Sequence, residues 1–422
     1  MSVPFHVLSE QEMNVASHEQ NLNQRYHALD LLRGMMMLAL VAFHAALPYG
    51  VPPDTGGLTF LDTSEWLKYY VTGGGIRVAI FFVIAGFFCS LLYSRRTVRG
   101  FVENTAVRIA TPLAIGWAAL LPVVGAGILF SAVAILTNKQ LAWDLSWQAF
   151  REGDLLFPDN AGHLWFLYYL LFFYAGYLAI RQVGGRISGL NLSALQSLTR
   201  WAFESNCRAL ILAVPTILLL QLQPLRVQTS PINWTPSWEF LLLYGSMFAA
   251  GAVLFSVRDV LEKFQRGAWW HLTAGLLLMG VFQSLTHYPS WTGASVGVEN
   301  AMMDIANGFF IWFLFFGIAG VLLRHLNRPN RVARYVADAS YWTYLLHLTI
   351  VVWMPGLLAD YNWAPELSFF AVFATSAGIS FLTYELFVRW SIIGKVLNGR
   401  THPSGLAAWV RRRRHQPEPM PA

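Results

Sequence analysis

RYHALDLLRGMMMLALVAFHAALPY, residues 25–49, is the stretch on which the reading of this chain turns. A polar cluster holding Asp30 and Arg33 runs into an apolar segment that carries one histidine, His44. The two are eleven positions apart. At about 100° per residue that spacing closes to within about 20° of whole turns, so a helix sets Arg33 and His44 on one face, roughly 16 Å apart along its axis. Met37 and Leu40 or Val41 fill the turns between them. If the helix enters a bilayer at Arg33, His44 sits near the middle of it. An imidazole at that depth is costly unless satisfied, and marks a functional site by default.

The composition agrees with a membrane setting. Of 422 residues, 55% are hydrophobic and 15% aromatic, whereas 12% are charged, against about 25% in soluble domains. Ten apolar segments follow one another at 29–50, 75–94, 110–136, 163–181, 209–222, 238–256, 268–286, 302–323, 341–358 and 367–388. Most are close to the ~20 residues that span a hydrocarbon core; the fifth is short and contains Pro215. The expected fold is all-α, a polytopic membrane protein of about ten transmembrane helices with both termini cytoplasmic. Residues 1–24 read as a cytoplasmic N-terminal tail without a signal-peptide pattern. Residues 25–398 form the transmembrane domain, and 399–422 a basic cytoplasmic tail.

Charge sets the orientation. With the N-terminus inside, five of the 29 Lys and Arg (Lys68, Arg77, Lys139, Arg151 and Arg226) fall on the outer side, and the rest on inner loops and ends. Such asymmetry is the positive-inside pattern. It also argues against a nucleic-acid partner, because the basic residues are scattered over six loops and ends instead of forming one face. The Arg411–Arg414 run reads as a solvated tail that touches anionic lipid. Cys89 and Cys207 have neither metal-type spacing nor a disulfide framework.

Several polar residues need an explanation. Arg33 reads either as an inside anchor or as a working cation, and His44 either as a packed histidine or as a general base near neutral pH. Asp30, three residues before Arg33, strengthens the working reading. Arg77 lies at the outer end of the second segment; it either snorkels to the interface or faces a cavity. Arg108, ahead of Pro112, stands where a phosphate-bearing ligand could be gripped from inside. His163 and Trp165 open the fourth segment on the outer side, where an acceptor could reach them. His347 is placed two to three turns in from the inner side, and Glu385 is expected to pair with Arg389. A metal site from His44, His163 and His347 is set aside, since the three are expected to enter at different depths.

At these residues the chain resembles a known family, the membrane acyltransferases of the acyltransferase-3 family. LDLLRGMMMLALVAFH has that family's Arg, ten residues, then His, here Arg33 and His44. FFVIAGFF, HLWFL, ASYWTYLLHLTI and FLTYELFVRW resemble its later signatures, in consistent order over about 25–400. Tyr26 with Leu29-Asp30, Arg77 and the Gly-His-Leu-Trp-Phe-Leu string are most similar to its glucan-biosynthesis branch, linked to succinylation of osmoregulated periplasmic glucans. Two departures stand out. Thr105 replaces the first arginine of an Arg-x-x-Arg whose second is Arg108, and Ala79 and Ala85 stand where the wider family tends to have an acid and a serine.

The resemblance implies an O-acyltransferase of the bacterial inner membrane, multi-pass, with no bound cofactor. The donor would be a cytoplasmic acyl-CoA (succinyl-CoA in that branch) and the acceptor a hydroxyl of a periplasmic glucan or related polysaccharide. His44 would act as general base with Arg33 and Asp30 beside it, or as an acyl-carrying relay. Arg108 and Arg33 would hold the donor. Arg77, His163, Trp165, His347 and Glu385 would support the acceptor side. Glucan-synthesis proteins or a second copy of the chain are further partners. The competing classes are an O-acetyltransferase of another envelope glycan, a sugar permease or flippase without chemistry, and a scaffold in a glucan-synthesis assembly.

Overall fold

The computed structural model describes residues 26–50, 63–73, 75–156, 158–184, 192–222, 231–288 and 292–399. The tail at 1–24, all but the first residue of 399–422 and the outer loop at 51–62 lie outside the described residues. All ten apolar segments are helical, and among the described residues the only β-type pairing is an isolated bridge between Asn160 and Asn233.

In chain order the helices are α1 (His27–Gly50), α2 (Glu65–Thr72), α3 (Gly75–Ser94), α4 (Val98–Thr105), α5 (Thr111–Leu136), α6 (Lys139–Glu152), α7 (Trp165–Gly184), α8 (Leu192–Glu204), α9 (Arg208–Leu220), α10 (Trp238–Ser256), α11 (Ala268–His287), α12 (Val296–His325), α13 (Arg331–Val351), α14 (Met354–Leu358), α15 (Pro365–Thr383) and α16 (Ile392–Asn398). Among the described residues, seven helical stretches are long and apolar enough to cross a membrane: α1, α2–α3, α4–α5, α7, α10, α12 and α15 with the turn after it. The count becomes nine if α8–α9, bent by 112°, and α13–α14, bent by 45°, are each one span. α11, where a further span is expected, is a helix of 20 residues that falls outside that set.

Lipid tails are as apolar as leucine, so close packing has to hold such helices together. Gly86 of α3 and Gly251 of α10 show how. A Cβ on Gly86 would stand 1.9 Å from the Phe248 carbonyl oxygen, and one on Gly251 would stand 1.8 Å from that of Val83. Only glycine lets the two backbones meet there. The stack of Phe82 on Tyr244, with ring centroids 4.8 Å apart, closes the same seam.

α4 passes into α5 through a π turn at Ala106–Ala110, which carries Arg108. Pro112 has no N–H to give the Arg108 carbonyl four residues back. The Tyr341 hydroxyl of α13 donates to that carbonyl instead, tying the turn to α13.

The two ends of the bundle are stitched separately. At one end Arg200 grips Asp259 through two bonds of 2.5 and 3.0 Å, and Arg208 donates to the Arg266 carbonyl at 3.0 Å. At the other, Lys139 pairs with Asp360 at 2.6 Å, the Tyr69 and Tyr288 hydroxyls meet at 2.8 Å, and Ser64 donates to Glu366. Arg33, at the start of α1, donates to the Ala337 carbonyl near the start of α13 at 2.9 Å. α1 therefore runs beside α13 with both helices starting at the same end.

Candidate active site

A cavity of about 1610 Å³ lies along α1. Arg33, Met37, Leu40, His44, Leu47 and Gly50 all line it, one stripe down the helix face inferred from the spacing of Arg33 and His44. Opposite, α3 contributes a second stripe from Arg77 to Leu92, and Arg95 and Arg96 line the cavity just beyond its end. The cavity is therefore continuous from the starting end of α1 to its far end, a run of about 26 Å at 1.5 Å per residue from Arg33 to Gly50.

Three histidines meet nearly two-thirds of the way along it. His347 Nε2 is 2.9 Å from His44 Nδ1, and the His163 and His347 rings are 5.7 Å apart at 89°. The expectation of different depths is thus corrected. α13 begins at Arg331, ten residues before the apolar segment, so His347 lies about four and a half turns along it, level with His44. The His163 turn folds in against the same level, because the Tyr344 hydroxyl donates to the His163 carbonyl at 2.8 Å.

The bonds fix the tautomers of the pair. His347 Nδ1 lies 2.7 Å from the Tyr344 carbonyl and 3.0 Å from that of Thr343. A carbonyl only accepts, so the proton of His347 is on Nδ1 and its Nε2 is bare. His44 Nδ1–H then donates to that bare nitrogen. Nε2 of His44 keeps its lone pair, on a ring that lines the cavity. The arrangement is that of a base oriented by a second group, with two peptide carbonyls where a carboxylate often stands. His163, 7% exposed, donates through Nε2–H to the Leu345 carbonyl at 3.2 Å, and its Nδ1 has no partner among the described residues. Among the described residues no group of three or more ligating side chains could hold a metal ion.

Arginines gather at the starting end of α1. Arg33, Arg95, Arg96 and Arg108 line the cavity there, with Asn104, Tyr341 and Asn398. Asp30 stands 3.7 Å from Arg33, one turn away on α1 and off the cavity wall. At the far end the wall is polar in a different way: Lys68, Thr72, His287, Asn300, Asp304 and Asn307. Asn300, Asp304 and Asn307 follow a helical i, i+4, i+7 spacing on α12, a signal the sequence carries and its hydropathy reading passes over. Thr72 and His287 meet at 3.0 Å, Gln221 donates to Asp304 at 2.6 Å, and the buried Asn307 Oδ1 has no partner among the described residues. Of the charged residues that line the cavity, six are cations and one, Asp304, is an acid.

The other expected site residues divide. Arg77 faces the cavity instead of snorkelling: it is 5% exposed, with its guanidinium carbon 4.4 Å from the Phe43 ring centroid and 5.1 Å from that of Tyr70. Trp165 is buried in the wall against Tyr244 and Phe82. Glu385 does not reach the cavity; it binds Arg389 with bonds of 2.8 and 2.9 Å, the i,i+4 pair expected of it. Tyr344 and Thr343, which orient His347, are not among the residues that the sequence singles out.

Comparison with known proteins is consistent with this geometry. The family described as acyltransferase domain matches residues 26–385. The chain is also similar to proteins named glucans biosynthesis protein C from Salmonella paratyphi B, Salmonella dublin and Salmonella enteritidis PT4. Each is 21% identical over 392 residues, covering 89% of this chain and 95% of the relative. No solved structure matches the chain.

Proposed function

We propose, on the premise that this chain belongs to the acyltransferase domain family, that it moves an acyl group from a cytoplasmic acyl-CoA to a hydroxyl of a periplasmic glucan or related envelope polysaccharide. In this reading it is a multi-pass protein of the bacterial inner membrane with about ten spans, both termini cytoplasmic, and the arginine end of the cavity facing inward. The observation that carries the proposal is His44, with a bare Nε2 well inside a cavity that has arginine side chains at one end and amide and hydroxyl side chains at the other. Arginines hold phosphate through charge-assisted bonds, and amide side chains such as Asn300 and Asn307 suit sugar hydroxyls.

In the proposed reaction the acceptor hydroxyl gives its proton to His44 Nε2 as its oxygen attacks the thioester carbonyl carbon. The imidazolium so formed stays bonded through Nδ1–H to His347. The C–S bond then breaks, and the leaving thiolate takes the proton back from His44. Arg33 steadies the donor from the inner end. Because the cavity is continuous, thioester and hydroxyl can reach His44 together, which favours direct transfer over an acyl-histidine relay.

The test uses purified full-length protein in lipid nanodiscs with radiolabelled acyl-CoA and a β-glucan acceptor. Label should pass to the glucan, and His44→Ala at equal protein level should cut transfer by about 100-fold or more. Undiminished transfer in that variant removes His44 from the chemistry. Sugar movement across vesicles without any thioester would favour a permease.

A further inference from the structure

Among the described residues Arg77 is a cation without an anionic partner. It is 5% exposed and lines the cavity. The Phe43 and Tyr70 rings lie against its guanidinium. Among the described residues Nε and Nη2 have no hydrogen-bond partner and Arg77 makes no ion pair. Those two nitrogens lie along one edge of the guanidinium, the edge that forms two parallel N–H···O bonds to a carboxylate. A buried charge left this way is costly, as is a buried pair from which one partner has been removed. The aromatic contacts offset part of that cost, yet they leave the buried N–H fork unpaired. The unpaired fork beside the cavity therefore reads as a binding position for an anion.

Its place relative to His44 limits what that anion can be part of. Phe43 lies 4.4 Å from the Arg77 guanidinium carbon and 5.1 Å from the His44 ring, so guanidinium and imidazole are within about 10 Å of each other. Arg33, by contrast, lies over Phe88; eleven residues of helix, about 16 Å, separate the two arginines along α3. A donor held by its phosphates at the Arg33 end would bring its thioester to His44 and point its acyl chain onward. A four-carbon diacyl chain spans about 4 Å between its two carbonyl carbons, and a carboxylate paired with a guanidinium adds a similar length. Together these fill the interval between a carbonyl at His44 and the Arg77 fork.

We infer that Arg77 is a specificity-determining residue that binds the terminal carboxylate of a dicarboxylic acyl group while the other carbonyl sits at His44. The inference rests on the acyltransferase reading above. It assigns Arg77 to the donor's acyl chain and not to the developing oxyanion, which every donor would share. A charged substituent on the acceptor offers the same chemistry from another source, so the acceptor in the test is neutral.

The test compares succinyl-CoA with butyryl-CoA, which replaces the carboxylate by a methyl group, using wild-type protein in nanodiscs and a neutral linear β-glucan oligosaccharide. In direct competition the wild type should favour the succinyl donor by about 100-fold or more, the size expected of two charge-assisted hydrogen bonds. Arg77→Gln should lower that ratio to near one, and Arg77→Lys should leave an intermediate value. Equal use of both donors by the wild type would overturn the inference without any variant. So would a preference that survives in Arg77→Gln, or a variant that loses both donors in the same proportion while keeping its unfolding temperature. If the wild type uses neither donor, the acyltransferase reading itself fails.

Discussion

His347 orients His44 across 2.9 Å, and two carbonyls of its own helix decide which nitrogen does so. A substitution that keeps an acceptor at that point should therefore be milder than one that does not. His347→Gln, whose amide oxygen can still accept from His44 Nδ1–H, should retain several times more transfer than His347→Leu. The reading is single-turnover acyl transfer at fixed protein level. Equal loss in the two variants would show that the ring serves packing alone.

The arginine cluster and the amide wall should separate in kinetics. Arg108→Ala is expected to raise the donor KM by about 10-fold, the loss of one charge-assisted contact, with the acceptor KM little changed. Asn307→Leu should do the reverse, raising the acceptor KM and leaving the donor KM alone. Steady-state rates with each substrate varied in turn check both, and crossed effects would refute the assignment of ends.

Much of α1 is legible in the amino-acid order alone, because one helical period relates Arg33 to His44. The partner of His44 is not. His347 lies 303 positions away, and helical spacing carries no information about which helices are neighbours. Hydropathy also starts the α13 span at its apolar part and misses the polar lead from Arg331, which is what moves His347 to the level of His44. The Asn300, Asp304 and Asn307 stripe escapes for a similar reason, since the apolar segment there begins at 302 and the helix at Val296. Glu385 and Arg389 are legible as a pair because both partners sit on one turn.

The seam between α3 and α10 makes a stability prediction. Gly251→Val places side-chain atoms where the Val83 carbonyl stands. The variant should lose about 3 kcal/mol or fail to accumulate, read as a fall in unfolding temperature in detergent. Gly176, where an added Cβ would meet nothing within 4 Å, should accept alanine with little change. Similar tolerance at both glycines would contradict the packing.

Acid should loosen the α8 end first. Arg200 holds the Asp259 carboxyl below the usual carboxylate range, chiefly through its hydrogen bonds. A depressed carboxylate stabilises the fold above its unfolded pKa, and that contribution is lost as pH falls through the lowered folded value. The unfolding temperature of the wild type should thus drop, as pH falls below the ordinary aspartate range of about 4, by more than that of Asp259→Asn, which lacks the contribution at every pH. Parallel curves for the two proteins would exclude the effect.

The charge count along the cavity has a consequence for the membrane itself. A water-accessible passage reaching from one end of the bundle to the other would short-circuit an ion gradient if it conducted protons or sodium. Six cations against a single acid line it, and Arg77, buried between two aromatic rings, stands near His44. Fixed positive charge in a narrow polar passage is a barrier to protons and metal cations. On the proposed function, the side chains that would hold an anionic donor would thereby also act as electrical insulation, opposing a leak of protons and metal cations through the reaction chamber.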